Sequence, residues 1–299
     1  MQNLTKPFDM LAYLAEASAQ LITVPGITAS GGPGSDTFIG FSGDDRYFGA
    51  GGADFIFGGG GADRLYGGGG NDLMVGGAGN DLIAGGSGTD TISYSGTVIS
   101  GPAGGVNSGV VVRLDLGTTT GAAGSDTISG FENAVGSAGA DRIVGTALNN
   151  LLIGADGDDL LFGGASYDSL VGMNGVDRLF GDVGNDILGG GAGNDFVVGG
   201  AGSDLLFGGA GADQFFFGVQ SDQGGTDQIT GFEVGLDKLV ISQLPGGSPS
   251  SLPTIVFETG PGGVTNVSVV LAGAELFDIN VLSTGGTISQ SDVVFSFNG

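Results

Sequence analysis

The chain has 299 residues, of which 67 are glycine and only 8% aromatic, with no cysteine, no histidine and a formal charge of −25. So little bulk does not fill two thick cores. The charge repels nucleic-acid phosphates and anionic lipid, and the missing side chains exclude a disulfide framework, thiolate metal sites, the HExxH zinc site, and Ser-His-Asp or Cys-His catalysis. Against the acids stand only Lys6, Arg46, Arg64, Arg113, Arg142, Arg178 and Lys238, so compaction calls for bound cations.

Residues 1–30 are expected to form a helical cap. Thr5 can serve as N-cap and Pro7 fits the first turn, while Phe8, Leu11, Leu14, Ala15, Ser18 and Leu21 recur at spacings of three and four. Such a helix would cover the first exposed edge of a repeat structure. Asp9 and Glu16 interrupt any apolar run, so a cleaved export signal is not expected here. No stretch of about eighteen apolar residues is present, and no transmembrane segment is expected.

From Gly31 to Ser93 the sequence keeps a nine-residue beat, GGPGSDTFI, GFSGDDRYF, GAGGADFIF and so on, and nine further units run from Gly136 to Phe216. Position one is glycine in all sixteen units, position six is aspartate in fifteen, and position eight is always apolar. A flexible linker would not keep the apolar residue, and collagen needs glycine at every third position. Each unit reads as a glycine-rich turn, GGxGxD, followed by a short strand whose middle side chain points inward. Two units make one coil of a flattened parallel β-helix, so each unit stacks on the one eighteen residues later. Asp36, Asp54, Asp72 and Asp90 then line one edge and Asp45, Asp63 and Asp81 the other, while Phe38, Ile56, Met74 and Ile92 face Tyr47, Leu65 and Ile83 across the interior.

Coils about 4.8 Å apart bring like charges together, and a hard cation between turns removes the repulsion. Calcium fits, since it takes six to eight oxygens and the turns offer carboxylates with glycine carbonyls; magnesium wants a smaller, stricter octahedron. The candidate metal ligands are Asp36, Asp45, Asp54, Asp63, Asp72, Asp81, Asp90, Asp141, Asp159, Asp168, Asp177, Asp186, Asp195, Asp204 and Asp213. Ions bridging units eighteen residues apart would number roughly ten to twelve.

At this point the residues resemble the bacterial RTX (repeats-in-toxin) calcium-binding proteins, whose nonapeptide is GGxGxDxUx. The resemblance covers both blocks. It implies an all-β fold, a right-handed parallel β-roll in two blocks (31–93 and 136–216), and one-step type I export through an uncleaved C-terminal signal to the cell surface or beyond. Departures cluster at the start of the second block. Asn150 replaces aspartate, Leu148 and Ser166 replace the second glycine, and Ser137, Thr146, Ala155, Met173 and Asp182 stand at position two, as Phe41 and Ala50 do in the first block. Calcium is expected to be poor or absent from Thr146 to Asn150, and better held in the units beginning Gly58, Gly67, Gly76, Gly190, Gly199 and Gly208.

Residues 94–135 lose the beat. In VVVRLDL, Val110, Val112, Leu114 and Leu116 alternate with Val111, Arg113 and Asp115, which predicts a strand in a hairpin insertion. The connector SDTISGFEN at 125–133 is echoed by TDQITGFEV at 226–234, so each block is expected to close with the same element, giving two tandem or stacked rolls. Residues 217–299 hold the alternating runs PTIVFE, VTNVSVVLAG, LFDINVLS and SDVVFSF and read as a β-rich cap. The segment from ADQFFF onward resembles the cap of secreted RTX proteins, serralysin proteases included, and Asp292 to Phe295 is similar to an acidic-then-apolar export terminus; the same residues also fit an ordinary hydrophobic last strand.

Two carboxylates can hydrolyse a glycosidic bond, but acids locked in a repeat read as ligands, and calcium-bound carboxylates are poor general acids. No GxSxG elbow, P-loop or dinucleotide fingerprint stands in a supporting context, and the non-repeat segments are too short for a catalytic domain. No enzyme is expected. The reading is a calcium-binding structural protein that folds after export and self-associates at the surface, in a matrix or as filaments; mean hydropathy of +0.29 is high for so acidic a chain. The alternatives are a calcium-dependent module for exopolysaccharide or cell-surface glycan, using outward aromatics such as Tyr47, Phe48, Phe55, Phe57 and Tyr66, and a non-catalytic relative of a secreted hydrolase or epimerase.

Overall fold

The computed structural model describes residues 26–95, 109–121, 124–218, 225–242, 254–259, 264–271, 274–284 and 288–296. The helix expected near the N-terminus lies outside them. Position eight of each unit is flanked by residues that alternate in and out, and the chain forms strands there. Two mainly parallel sheets result, one of fourteen strands and one of thirteen, between which successive units alternate. Registers follow the eighteen-residue step: Arg46 lies opposite Arg64, Ile56 opposite Met74, and Leu179 opposite Val197.

The interior is one side chain thick. Ile56, Leu65, Met74, Ile83, Leu152, Leu161 and Leu170 are wholly buried, and the Phe38 and Tyr47 rings stack at 4.5 Å at the N-terminal end. Each such side chain contributes roughly 1.5–3 kcal/mol relative to exposure. One per nine residues is a thin core.

The turns use left-handed backbone at unit positions two and four, seen in Gly68 (φ 109°) and Gly70 (φ 120°). Only glycine takes this conformation without cost. Ala50, Ala155, Met173 and Asp182 occupy it at position two, and Ser166 at position four, with φ between 72° and 89°.

The two blocks stack into one continuous solenoid, sharing both sheets. Residues 127–129 extend the first sheet beyond Leu82–Ser87, and 133–135 join Thr91–Ser93 to Leu151–Asp156 in the second sheet. The connector is thus itself a coil, with Ile128 and Ala134 in the core. The expected hairpin is intercalated in the first sheet: Thr118–Gly121 runs antiparallel between Thr127–Ser129 and Val110–Arg113, and the latter pairs in parallel with Arg142–Val144. Its strand stops at Arg113. Val110 and Val112 are buried, whereas Leu116 sits in the turn and is 64% exposed, because the chain must reverse before Thr118.

The tail also continues the solenoid. Thr226–Glu233 and Lys238–Ser242 add one strand to each sheet, and Val293–Ser296 closes the first sheet beside Lys238–Ser242. The runs at Thr254–Thr259, Val264–Leu271 and Ala274–Thr284 form an antiparallel meander whose last strand pairs with Thr226–Glu233. Among the described residues, no helix is long and apolar enough to cross a membrane.

Candidate calcium-binding turns

The strand rise fixes each position-six aspartate at the mouth of a turn, and its carboxylate is tied to the neighbouring rung. The Asp54 N–H donates to Asp72 Oδ1 at 2.9 Å and the Asp72 N–H to Asp90 Oδ1 at 2.8 Å. On the opposite edge Asp45 donates to Asp63 and Asp63 to Asp81, and the second block repeats the pattern through Asp159, Asp177, Asp195 and Asp213 and through Asp168, Asp186 and Asp204. The two columns are those the spacing predicts.

One oxygen of each carboxylate is therefore satisfied, and the other is not. Oδ2 of Asp45, Asp54, Asp63, Asp72, Asp81 and Asp90, and of Asp159, Asp168, Asp177, Asp186, Asp195, Asp204 and Asp213, is buried without a hydrogen-bond partner. An anionic oxygen in that state is costly unless a cation or a proton joins it. The surroundings supply further oxygens: a Cβ built on Gly58 would collide with both Asp63 Oδ2 and the Gly76 carbonyl oxygen, and one on Gly172 with Asp177 Oδ2 and the Gly190 carbonyl oxygen. Position one is glycine because oxygens converge over its Cα. Among the described residues no three acidic side chains group around one point. A cation placed here would meet one or two carboxylates together with backbone carbonyls, a donor set that suits calcium.

Burial pushes several of the column carboxyls up. Asp63 reaches about 6 and Asp81 about 7, first through desolvation, with the charge of neighbouring aspartates adding and the N–H bond from the preceding rung opposing. Asp159 and Asp186 rise to about 7 and Asp168, Asp195 and Asp213 to about 6, again chiefly through desolvation.

Two predicted ligands are built differently. Asp36 Oδ2 accepts from the Gly32 N–H at 2.7 Å, and Asp141 accepts from the Ser137 N–H and, at 2.8 Å, from the Ser137 hydroxyl. In the turn expected to hold calcium poorly, Asn150 Oδ1 accepts from the Thr146 N–H and hydroxyl, and Thr146 Oγ1 accepts from the Leu148 N–H. In these two turns the hydroxyl at position two hydrogen-bonds the position-six side chain, whose oxygen is unpartnered in most other turns.

Four further acids extend the columns. The Asp81 N–H donates to Asp126 Oδ1, Asp90 to Glu132 Oε2, Asp204 to Asp227 Oδ1 and Asp213 to Asp237 Oδ1. They stand 45, 42, 23 and 24 residues on, in place of the eighteen-residue step. The echoed segments gave the signal for two of them, since Asp126 and Asp227 occupy the same place in the two copies. Asp126 is sealed by protein: its Oδ2 accepts from the Tyr94 hydroxyl at 2.7 Å and the Thr119 hydroxyl at 2.9 Å. Position five holds a second ladder, in which Asn71 Oδ1 accepts from the Thr89 N–H and Asn194 Oδ1 from the Ala212 N–H. Of the aromatics considered for a glycan platform, Tyr47 is excluded, because position eight turns its ring into the core.

A parallel β-solenoid with carboxylates and carbonyls stacked along both edges defines a calcium-repeat protein. The RTX calcium-binding nonapeptide repeat profile matches residues 28–56, 57–92, 135–170, 153–188, 167–197 and 189–223, just over half of the chain, which belongs to that family. No curated protein matches in sequence. Among solved structures the chain is similar to the AlgE6R3 subunit of the Azotobacter vinelandii mannuronan C5-epimerase (28% identity over 46% of this chain and 77% of that one, TM-score 0.22) and to the AlgE6R2 subunit of the same enzyme (26%, 48% and 91%, TM-score 0.23). It is also similar to the extracellular lipase LipA of Serratia marcescens, at 20% identity over 93% of this chain and 41% of that one, with TM-score 0.22.

Proposed function

We propose that the chain is an exported calcium-dependent structural module that completes its fold when calcium binds the turns, and that it works as a non-catalytic scaffold outside the cell. The observation that carries this reading is the set of thirteen buried, unpartnered Oδ2 atoms. Calcium, when bound, supplies the positive charge those oxygens lack. Asp45, Asp63 and Asp81 on one edge and Asp54, Asp72 and Asp90 on the other would hold it in the first block, with Asp159, Asp177, Asp195 and Asp213 and Asp168, Asp186 and Asp204 in the second.

The rest follows from the chain itself. Where free calcium is scarce, ionised aspartates stacked from rung to rung along each edge oppose closure, and the chain stays extended enough to be exported. Where calcium is millimolar, binding to the folded form alone stabilises it by mass action, and moderate sites acting together suffice. A calcium titration followed by far-UV circular dichroism tests the switch. A cooperative gain of β-signal supports it, and full β-structure at neutral pH in excess chelator overturns it. The assembly part of the proposal, that folded modules associate into surface, matrix or filament structures, is tested by light scattering at millimolar calcium and high protein concentration, where a monodisperse monomer counts against it.

A further inference from the structure

Every arginine and lysine among the described residues lies in a strand of the first sheet, and none lies in the second. Arg113 pairs with Asp115 and Lys238 with Asp292. The other four, Arg46, Arg64, Arg142 and Arg178, make no ion pair among the described residues, although the chain carries 32 acids. All four occupy position seven, which the alternation around buried position eight turns outward. They share that face with aromatic rings at position nine. Arg46 lies 4.7 Å over Phe48, which stacks on Tyr66 at 4.8 Å; Arg142 lies 4.5 Å over Phe162, which stacks on Phe180 at 5.0 Å.

We infer that the outer face of the first sheet is a docking surface for a single acidic polysaccharide chain running across the strands. The partner's chemistry follows from the face. A guanidinium free of carboxylate partners offers a planar fork for an external carboxylate or sulfate, and two pairs of flat rings on adjacent rungs, Phe48 with Tyr66 and Phe162 with Phe180, offer stacking faces to sugar rings. Arg46 and Arg64 stand on adjacent strands, and Arg142 and Arg178 two strands apart, about 10 Å. Carboxylate-bearing turns flank this strip on both sides, which disfavours a broad anionic surface such as a bilayer or a nucleic-acid duplex, whereas one narrow polyanion can lie between the turns. The calcium turns take no part in the contact. The inference rests on the calcium-folded solenoid of the proposed function only in that the face must be formed.

The test uses the full chain at millimolar calcium, with circular dichroism recorded on each sample so that loss of folding and loss of binding are read separately. The probe is a fluorescent hyaluronan octasaccharide, which brings regularly spaced carboxylates. Saturable binding that weakens with salt is expected, with at least a tenfold loss in a variant carrying Arg46→Gln, Arg64→Gln, Arg142→Gln and Arg178→Gln, and a similar loss in Phe162→Ser/Phe180→Ser, while the β-signal stays that of the parent. A neutral cello-oligosaccharide of equal length should not bind. No binding by a folded parent, or unchanged binding by the folded arginine variant, overturns the inference. Equal or tighter binding of phosphatidylserine vesicles or a single-stranded oligonucleotide overturns the choice of polysaccharide.

Discussion

The Asp63 N–H donates to Asp81 Oδ1 at 2.8 Å, while Asp81 Oδ2, on the same carboxylate, is buried with nothing to accept from. One atom of the pair builds the ladder and the other creates the demand for a cation. That division of labour makes a rung stable only when something positive reaches Oδ2.

A proton can meet the demand in place of calcium. The folded-state values of about 6 for Asp63 and about 7 for Asp81, Asp159 and Asp186 lie above the ordinary 3.8. The folded state therefore binds more protons than the unfolded chain between about pH 4 and 7, and metal-free stability falls as pH rises through that window. In excess chelator, the β-signal should be greater near pH 4.5 than at pH 7.5, and adding calcium at pH 7.5 should restore it. A metal-free β-signal that grows on raising the pH would contradict the assignment.

The turn geometry gives a second expectation. Gly70 has φ 120°, and a Cβ there would overlap the Gly52 carbonyl oxygen of the preceding rung. Gly70→Ala should cost at least about 1–2 kcal/mol from the left-handed backbone alone and raise the calcium concentration at the folding midpoint. Met173→Gly acts the other way at φ 82°; relief of strain is partly offset by glycine's freedom in the unfolded chain, leaving a gain of about 0.5 kcal/mol. Both are read from chelator-titrated unfolding curves.

The nine-residue period made the core and both aspartate columns legible, because position eight and position six are repeated without insertion inside each block. What was not legible sits where the spacing breaks. Asp126, Glu132, Asp227 and Asp237 join the columns across insertions, which pairwise spacing hides and only the echoed segments hint at. The merger of two blocks into one solenoid likewise depends on edge strands: Leu82–Ser87 would end the first block with unpaired backbone groups, and Thr127–Ser129 covers them. The hydroxyl-filled turns at Ser137 and Thr146 are visible as departures from consensus, but their hydrogen bonds come from local geometry.

Those turns predict the distribution of bound metal. Asp177→Asn should lower the calcium bound at saturation, since it removes a carboxylate whose Oδ2 is unpartnered, whereas Asp141→Asn should change the count little, its oxygens being held by Ser137. Conversely, Thr146→Gly/Leu148→Gly/Asn150→Asp restores the consensus turn and should add calcium. Equilibrium dialysis with elemental analysis distinguishes these outcomes, and an unchanged count in the triple variant would show that the hydroxyls were not what displaced the ion.

The seam between the blocks should respond to mutation without regard to metal occupancy. Tyr94 is buried, and its hydroxyl donates to Asp126 Oδ2 while the Thr119 hydroxyl donates to the same oxygen. Tyr94→Phe keeps the ring and removes one donor to a buried carboxylate, an effect of about 1–3 kcal/mol. Because Asp126 remains sealed by Thr119 and the surrounding strands, the loss should persist at saturating calcium, with the same amount of calcium bound as in the parent. Thr119→Val should act in the same sense, and the double variant should cost more than the sum, since it leaves Oδ2 with neither hydroxyl. Thermal unfolding at several calcium concentrations is the measurement. A Tyr94→Phe defect that calcium fully repairs would mean that Asp126 accepts the ion after all, and the seam would then be one more rung of the calcium array.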